Sequence, residues 1–224
     1  MKQTKQSSAG FAFLCTAILY LACVSFISYP LTTIFKPIPI LCLLIWVWHS
    51  ELQHPSKALL MAALGFSLIG DIVLTLPIAQ QVELGIVCFL LAHCCYIALF
   101  IKQFSFNKKR VFYIVPLIVY SALLFYIVFP HLGPLLVPVC VYFAILFVMV
   151  FLTTQVSEYP FYLLLGGVSF LISDSVFAYN LFVNPGLNLT LLVMLSYYLA
   201  QFMITVGVLI PEGLHLPKND RIVL

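Results

Sequence analysis

Apolar stretches of about 20 residues recur along the whole chain and are separated by short polar, proline or glycine segments. A stretch of this length crosses a bilayer as one α-helix, which satisfies its own backbone hydrogen bonds. The composition agrees, because 64% of the residues are hydrophobic and 8% are charged, against roughly 25% charged in soluble domains. The sequence therefore predicts an all-α fold, a polytopic bundle of eight transmembrane helices that forms a single domain over residues 1–224. The predicted spans are 10–28, 34–49, 58–76, 82–101, 111–129, 135–153, 160–182 and 189–210.

The basic residues predict how this bundle is oriented. In an eight-span chain the N-terminus, the even-numbered loops and the C-terminus share one side of the membrane, and that side holds nine of the ten lysines and arginines. Cytoplasmic loops of membrane proteins carry an excess of basic residues, so we expect both termini in the cytoplasm. Lys36 is the one basic residue on the opposite side. The other nine are Lys2, Lys5, Lys57, Lys102, Lys108, Lys109, Arg110, Lys218 and Arg221.

Two aspartates lie inside apolar sequence, Asp71 in the third span and Asp174 in the seventh, in a chain with seven acidic residues in all. A carboxyl group in hydrocarbon costs free energy, so such residues usually face the bundle interior and mark a functional site. Their flanks are similar, because Leu68-Ile69-Gly70 precedes Asp71 as Leu171-Ile172-Ser173 precedes Asp174. These short matches point to a parallel repeat of four plus four spans.

Five further polar side chains fall at depths comparable to the two aspartates. Lys36, in the first turn of span two, enters from the outer side. His93 and Gln201 lie near the middle of spans four and eight, with Tyr96 and Tyr197 one helical turn away on the same faces. We expect all of them to converge on one cavity that opens toward the outer leaflet. The alternative is structural, with Lys36 as an interfacial lysine or with ion pairs that hold the bundle together.

Motifs for metal binding or nucleophilic catalysis do not accompany these residues. The sequence contains no HExxH helix motif and no GxSxG elbow. The seven cysteines lie within apolar segments and form no CxxC spacing, as is typical of small buried residues. We therefore expect acid–base chemistry by carboxyl groups, with no metal or organic cofactor.

Several short motifs follow one another in an order that is characteristic of one family. They are a Lys-Pro at span two, Gly-Asp in span three, Gly-x3-Phe-x3-His-x2-Tyr in span four, Gly-x2-Phe-x2-Ser-Asp in span seven and Tyr-x2-Ala-Gln in span eight. With these motifs the chain resembles, over almost its whole length, the lysoplasmalogenase family of eight-span membrane proteins, also called YhhN-like. The residues that carry the resemblance are Lys36, Pro37, Gly70, Asp71, Gly85, Phe89, His93, Tyr96, Gly167, Phe170, Ser173, Asp174, Tyr197, Ala200 and Gln201.

The resemblance implies hydrolysis of the vinyl ether bond of lysoplasmalogen to a fatty aldehyde and a glycerophospho-base. Vinyl ethers hydrolyse through protonation of the β-carbon, which leaves an oxocarbenium ion, and glycosidases handle a similar ion with two carboxyl groups. We assign this catalytic pair to Asp71 and Asp174, one as proton donor and one as carboxylate. The sequence does not decide which aspartate has which role.

The remaining polar residues of the motifs are expected to bind or position the substrate. Lys36 is placed to meet the lipid phosphate, and the others to hold the carboxyl groups, the water or the glycerol oxygens. These others are His93, Tyr96, Ser173, Tyr197 and Gln201. The expected partners are the lysophospholipid substrate and membrane lipid, and no nucleic acid. We expect a multi-pass protein of a bacterial inner membrane, or of the endoplasmic reticulum in a eukaryote.

Three other functions remain open at the level of the sequence. A proton-coupled transporter with Asp71, Asp174 and His93 as a relay predicts transport that depends on a pH gradient, without turnover of lysoplasmalogen. An intramembrane aspartyl protease fits less well, because Leu68 stands where its Gly-x-Gly-Asp motif has the first glycine. A non-catalytic relative that binds lysolipid predicts binding without release of aldehyde.

Overall fold

The computed structural model describes residues 2–157 and 160–210, without the side chains of residues 2–7 and Pro160. Within these ranges the chain is largely helical and forms no β-strand, which confirms the all-α prediction. Seven stretches are long and apolar enough to cross a membrane, and a shorter apolar stretch, Ser8–Cys23, precedes them. The α-helices are α1 (Lys2–Cys23), α2 (Leu31–Phe35), α3 (Ile38–His49), α4 (His54–Val73), α5 (Gln81–Ile101), α6 (Ile114–Val128), α7 (Leu136–Thr154), α8 (Pro160–Ala178) and α9 (Thr190–Leu209).

Several helices begin or end away from the predicted boundaries. The first span was predicted as 10–28, whereas α1 ends at Cys23, and the third was predicted as 58–76, whereas α4 runs from His54 to Val73. The predicted loop at His54-Pro55 is the first turn of α4, where proline is tolerated because its missing amide has no helical partner. In the seventh span the α-helix ends at Ala178 and continues as a turn of π-helix, Tyr179–Val183.

Two helix pairs, α4 with α5 and α8 with α9, have the most extensive contacts in the bundle. Small residues permit this close approach. A Cβ at Gly70 would lie 2.7 Å from the Phe89 ring on α5, and one at Gly166 would lie 3.0 Å from the backbone nitrogen of Ile204 on α9. Each pair begins with the helix that carries an aspartate, Asp71 on α4 and Asp174 on α8.

Backbone hydrogen bonds join two of the connecting segments. At one end, the amides of Ser105 and Ser157 donate hydrogen bonds of 2.8 and 3.1 Å to the carbonyls of Gln155 and Gln103, which joins the α5–α6 loop to the segment after α7. Which end faces the cytoplasm stays a prediction, as does the four-plus-four repeat. Four residues used for the orientation lie outside the described residues or side chains, namely Lys2, Lys5, Lys218 and Arg221.

Candidate active site

Asp71 lies in the last turn of α4, and its side chain is 1% exposed. The Nζ atom of Lys36 lies 3.2 Å from its Oδ1 atom. On the other side the hydroxyl of Tyr197, from α9, donates a 2.8 Å hydrogen bond to Oδ2. Each carboxylate oxygen of Asp71 therefore faces a donor, and one donor carries a positive charge.

Lys36 lies where the second span divides into two helical stretches, α2 and α3, although its own backbone angles stay in the right-handed helical region. Lys36 follows the end of α2, so it does not lie in the first turn of a single helix as the sequence predicted. Pro37 and Pro39 lack the amide hydrogens that would continue a helical ladder, which favours a break here. The hydroxyl of Tyr198 donates a 2.7 Å hydrogen bond to the carbonyl of Lys36 and ties the break to α9.

Asp174 lies on α8, and its side chain is 16% exposed. The hydroxyl of Tyr142, on α7, donates a 2.6 Å hydrogen bond to its Oδ2 atom. The Nε2 atom of His93, on α5, lies 3.8 Å from the same oxygen, which exceeds the length of a hydrogen bond. Among the described residues no lysine or arginine lies within ion-pair distance of Asp174, so its surroundings differ in charge from those of Asp71.

His93 is fully buried beside Asp174 and does not line the cavity. Its ring centroid lies 5.3 Å from that of Tyr142 and 5.1 Å from that of Phe170, both in edge-on arrangements. Aromatic rings in this geometry attract one another and exclude water. His93 therefore packs behind Asp174 as part of an aromatic wall.

Tyr96 and Gln201 form a separate buried contact, one helical turn from His93 and Tyr197 respectively. The Tyr96 hydroxyl donates a 2.5 Å hydrogen bond to Oε1 of Gln201, which joins α5 to α9. Neither residue lines the cavity that holds the aspartates. The expected convergence of all the polar residues on one cavity is therefore wrong for Tyr96, His93 and Gln201.

Ser173, next to Asp174, does line the cavity, but its hydroxyl is engaged elsewhere. It donates a 3.0 Å hydrogen bond to the carbonyl of Val193 on α9. The side chain is almost fully buried. Ser173 thus joins α8 to α9 beside Asp174.

Both aspartates line the same cavity, which has a volume of about 80 Å³. A buried water requires a cavity of roughly 10–15 Å³, so the space holds a few waters or a small reacting group. Its polar side chains come from four helices, α4, α7, α8 and α9, and from Lys36 between α2 and α3, and apolar side chains supply most of the remaining wall. The polar residues are Lys36, Asp71, Tyr142, Ser173, Asp174 and Tyr197; the larger apolar ones include Ile86, Phe89, Val139, Phe143, Phe177, Leu181, Phe182 and Met194.

Tyr142 is the polar residue of the cavity that the sequence did not single out. It lies within the apolar sequence VCVYFAILF and is one of 12 tyrosines in the chain. No motif or charge marks it, and an isolated tyrosine in a membrane helix is usually assigned to packing or to the interface. Only the approach of α7 to α8 reveals its contact with Asp174.

The part of the chain that the structure describes contains no group of three or more histidine, cysteine, aspartate or glutamate side chains arranged to hold a metal ion. The functional groups of the cavity are therefore two carboxyls, an ammonium, a serine hydroxyl and two phenols. Such groups can donate and accept protons and can stabilise a developing charge.

Comparison with known proteins gives one match, to a family. A sequence model of the YhhN family matches residues 31–208. The matched range contains every residue of the cavity and confirms the family resemblance seen in the motifs. No curated protein and no solved structure matches the chain.

Proposed function

Since the chain belongs to the YhhN family, we propose that it is an integral membrane hydrolase that cleaves the vinyl ether bond of lysoplasmalogens. The products are a fatty aldehyde and a glycerophospho-base. The observation that carries the proposal is the pairing of Asp71 and Asp174 in one largely apolar cavity. Localisation to a bacterial inner membrane, or to the endoplasmic reticulum in a eukaryote, belongs to the same proposal.

Two carboxyl groups match what this reaction requires. Protonation of the β-carbon of a vinyl ether needs an acid that keeps its proton, and a carboxyl group among apolar neighbours does so because its ionised form is poorly solvated. The oxocarbenium ion that follows needs a nearby anion and a water molecule, as in glycoside hydrolysis. Asp71 and Asp174 supply the acid and the anion, and the cavity between the helices has room for the water.

The shape and lining of the cavity suit an amphiphilic substrate. At about 80 Å³ it is too small for a whole lipid, so the reacting group enters it while the hydrocarbon chain lies along apolar side chains toward the bilayer. Phe177, Leu181 and Phe182 line the cavity at the end of α8 and in the π-helical turn, where they offer such a surface. The ammonium group of Lys36 already pairs with Asp71. If it also contacts the lipid phosphate, the one positive charge of Lys36 is shared between the Asp71 carboxylate and the phosphate.

The direct test is release of aldehyde by the purified protein in detergent or in liposomes. A 1-alkenyl lysophospholipid is the substrate, and the ester lysolipid with the same chain and head group is the control. We expect aldehyde from the vinyl ether alone. Asp71→Asn and Asp174→Asn should each lower the rate by about 10²–10⁴-fold, the usual contribution of acid–base catalysis. Glu83→Gln, at an exposed carboxyl group in the first turn of α5, should leave the rate unchanged.

The competing functions give different results in the same preparations. A proton-coupled transporter would move solute into proteoliposomes in response to a pH gradient and leave the vinyl ether intact. A binding protein would retain the lysolipid without forming aldehyde. Full activity of either Asn variant, with the protein folded as judged by gel filtration in detergent, would contradict the assignment of the carboxyl pair.

A further inference from the structure

Asp71 and Asp174 share one cavity but face different partners, and the difference assigns their roles. We propose that Asp174 is the proton donor, that Asp71 is the carboxylate, and that Tyr142 is the positioning residue that holds the donor. The assignment of catalytic roles rests on the proposed hydrolase function. The physical basis of the assignment is the charge of each carboxyl group, Asp71 and Asp174, before substrate binds. These charges can be measured in a protein that turns over no substrate.

The contact with Lys36 keeps Asp71 ionised. Lys36 is 9% exposed, and its ammonium group lies 3.2 Å from the carboxylate of Asp71. A buried ammonium without a counter-ion is unfavourable because it loses its hydration, so the two charges stabilise each other. The Tyr197 hydroxyl satisfies the second oxygen of the carboxylate, and Tyr198 holds the Lys36 backbone in place.

Asp174 has no such cation. Its closest titratable neighbours in the described residues are the Tyr142 phenol at 2.6 Å and the His93 imidazole at 3.8 Å. Transfer of a proton from Asp174 to His93 would create a buried ion pair between them that lacks a hydrogen bond and lies among aromatic rings. A buried ion pair is stable only when its geometry is good and its hydrogen bonds are made. The neutral arrangement, with a neutral imidazole and a protonated Asp174, avoids both charges. Tyr142 occupies Oδ2, which leaves Oδ1 to carry the proton.

The two roles give a balanced reaction. Asp174 transfers its proton to the β-carbon of the vinyl ether, and the positive charge that forms on the α-carbon and ether oxygen is stabilised by the Asp71 carboxylate. Water adds to the α-carbon, and its proton passes to Asp71. The hemiacetal hydroxyl then returns a proton to Asp174 as the carbonyl forms. The bond to the glycerol oxygen breaks with its electron pair on that oxygen, which takes the proton from Asp71. Both residues return to their starting states.

Infrared spectroscopy of the substrate-free protein at neutral pH measures these charges directly. A protonated carboxyl group absorbs as a carbonyl stretch that shifts in D2O and on ¹³C labelling of aspartate. The chain has seven acidic residues, of which three are aspartates, so few groups contribute. We expect one such aspartate band in the wild-type protein, lost in Asp174→Asn and retained in Asp71→Asn. Loss in Asp71→Asn alone would reverse the assignment, and absence of the band from the wild type would overturn it.

Lys36→Met provides a second test of the same inference. Without the ammonium, Asp71 is a buried carboxylate with no counter-ion, and we expect it to take up a proton and add a second aspartate band. That added band should vanish in the Lys36→Met/Asp71→Asn double variant. An unchanged spectrum in Lys36→Met would show that the lysine does not set the charge of Asp71 and would overturn this part of the inference.

Tyr142→Phe, with Tyr197→Phe as the matched control, tests the positioning role. Removal of the Tyr142 hydroxyl should shift the frequency of the Asp174 band without abolishing it, because the carboxyl group loses its hydrogen-bond donor. Tyr197→Phe should leave that band in place. We also expect Tyr142→Phe to lower kcat about tenfold or more with little change in KM. An unshifted band with unchanged kcat would contradict a role for Tyr142. If the bands change as expected but the wild-type protein releases no aldehyde, the hydrolase function is refuted and the assignment of charges to Asp71 and Asp174 stands.

Discussion

The surroundings of Asp71 and of Asp174 differ more than the sequences around them. Asp71 is 1% exposed and has an ammonium group at 3.2 Å, whereas Asp174 is 16% exposed and has a phenol at 2.6 Å and an imidazole at 3.8 Å as neighbours. Each receives one tyrosine hydroxyl, from Tyr197 and Tyr142 respectively. The partners from other helices therefore decide how two identical side chains behave in one cavity.

The partners also cross between the two halves of the chain. Tyr197 on α9 contacts Asp71 on α4, and His93 on α5 lies beside Asp174 on α8. Each aspartate thus depends on a helix that belongs to the other helix pair. This arrangement makes the cavity a property of the assembled bundle rather than of either half.

The largest expected effect is a loss of stability when Lys36, the partner of Asp71, is replaced. Lys36→Met leaves Asp71 buried without its partner, and breaking a buried ion pair costs about 3–5 kcal/mol. Thermal unfolding in detergent measures the loss. The double variant Lys36→Met/Asp71→Asn should recover most of it, because no buried carboxyl group then has to take up a proton at neutral pH. Lys102→Met, at an exposed lysine, should change the free energy of unfolding by less than about 0.5 kcal/mol. Equal effects at the two lysines would contradict the pairing.

A smaller effect is expected at the glycine beside Asp71. Gly70→Ala places a methyl group 2.7 Å from the Phe89 ring and should destabilise the protein by about 1–3 kcal/mol through overpacking. Because the change displaces α4 against α5, we also expect slower aldehyde release. Gly65→Ala, on the same helix with no atom within 4 Å of the added methyl group, is the matched control and should be neutral or stabilising. Destabilisation of the same size at Gly65 would exclude the packing explanation.

The smallest expected effect is at Ser173, next to Asp174. Ser173→Ala removes the hydrogen bond to the carbonyl of Val193 and should lower the free energy of unfolding by about 1 kcal/mol. Because the hydroxyl is engaged with α9, we expect kcat to change by less than tenfold. Chemical unfolding together with aldehyde release measures both quantities. A loss of activity as large as that of Asp174→Asn, with normal stability, would place Ser173 in the reaction instead.

Much of the architecture was predictable because the membrane imposes it. Spans of about 20 apolar residues with turn residues between them are a direct consequence of bilayer thickness, so the helices were found with errors mainly at their ends. The break at Lys36-Pro37 was less predictable, since prolines at a helix start and prolines at a break look alike in sequence. The start of α4 at His54 was missed for a related reason.

The residues of the cavity were predictable where charge or a family motif marked them, as for Ser173 and Tyr197. Asp71, Asp174 and Lys36 stand out because charged residues are rare in spans, and the structure brings all three to one cavity. Tyr142 carries no such mark, and its contact with Asp174 depends on how α7 meets α8. Conversely, Gln201 lies one helical turn from Tyr197 but outside the cavity, where it accepts a hydrogen bond from Tyr96. His93, one turn from Tyr96, also lies outside the cavity.

The position of the transferred proton is the most direct measure of the central claim, hydrolysis of a vinyl ether by a carboxyl pair. Lysoplasmalogen is hydrolysed by the wild-type protein in D2O, and the aldehyde is trapped at once as a hydrazone for mass spectrometry. Protonation of the β-carbon predicts one deuterium on the carbon next to the carbonyl, and about 10²–10⁴-fold less labelled aldehyde in the same time from Asp174→Asn. Aldehyde without deuterium at that carbon, or the same labelled yield from Asp174→Asn, would contradict the account.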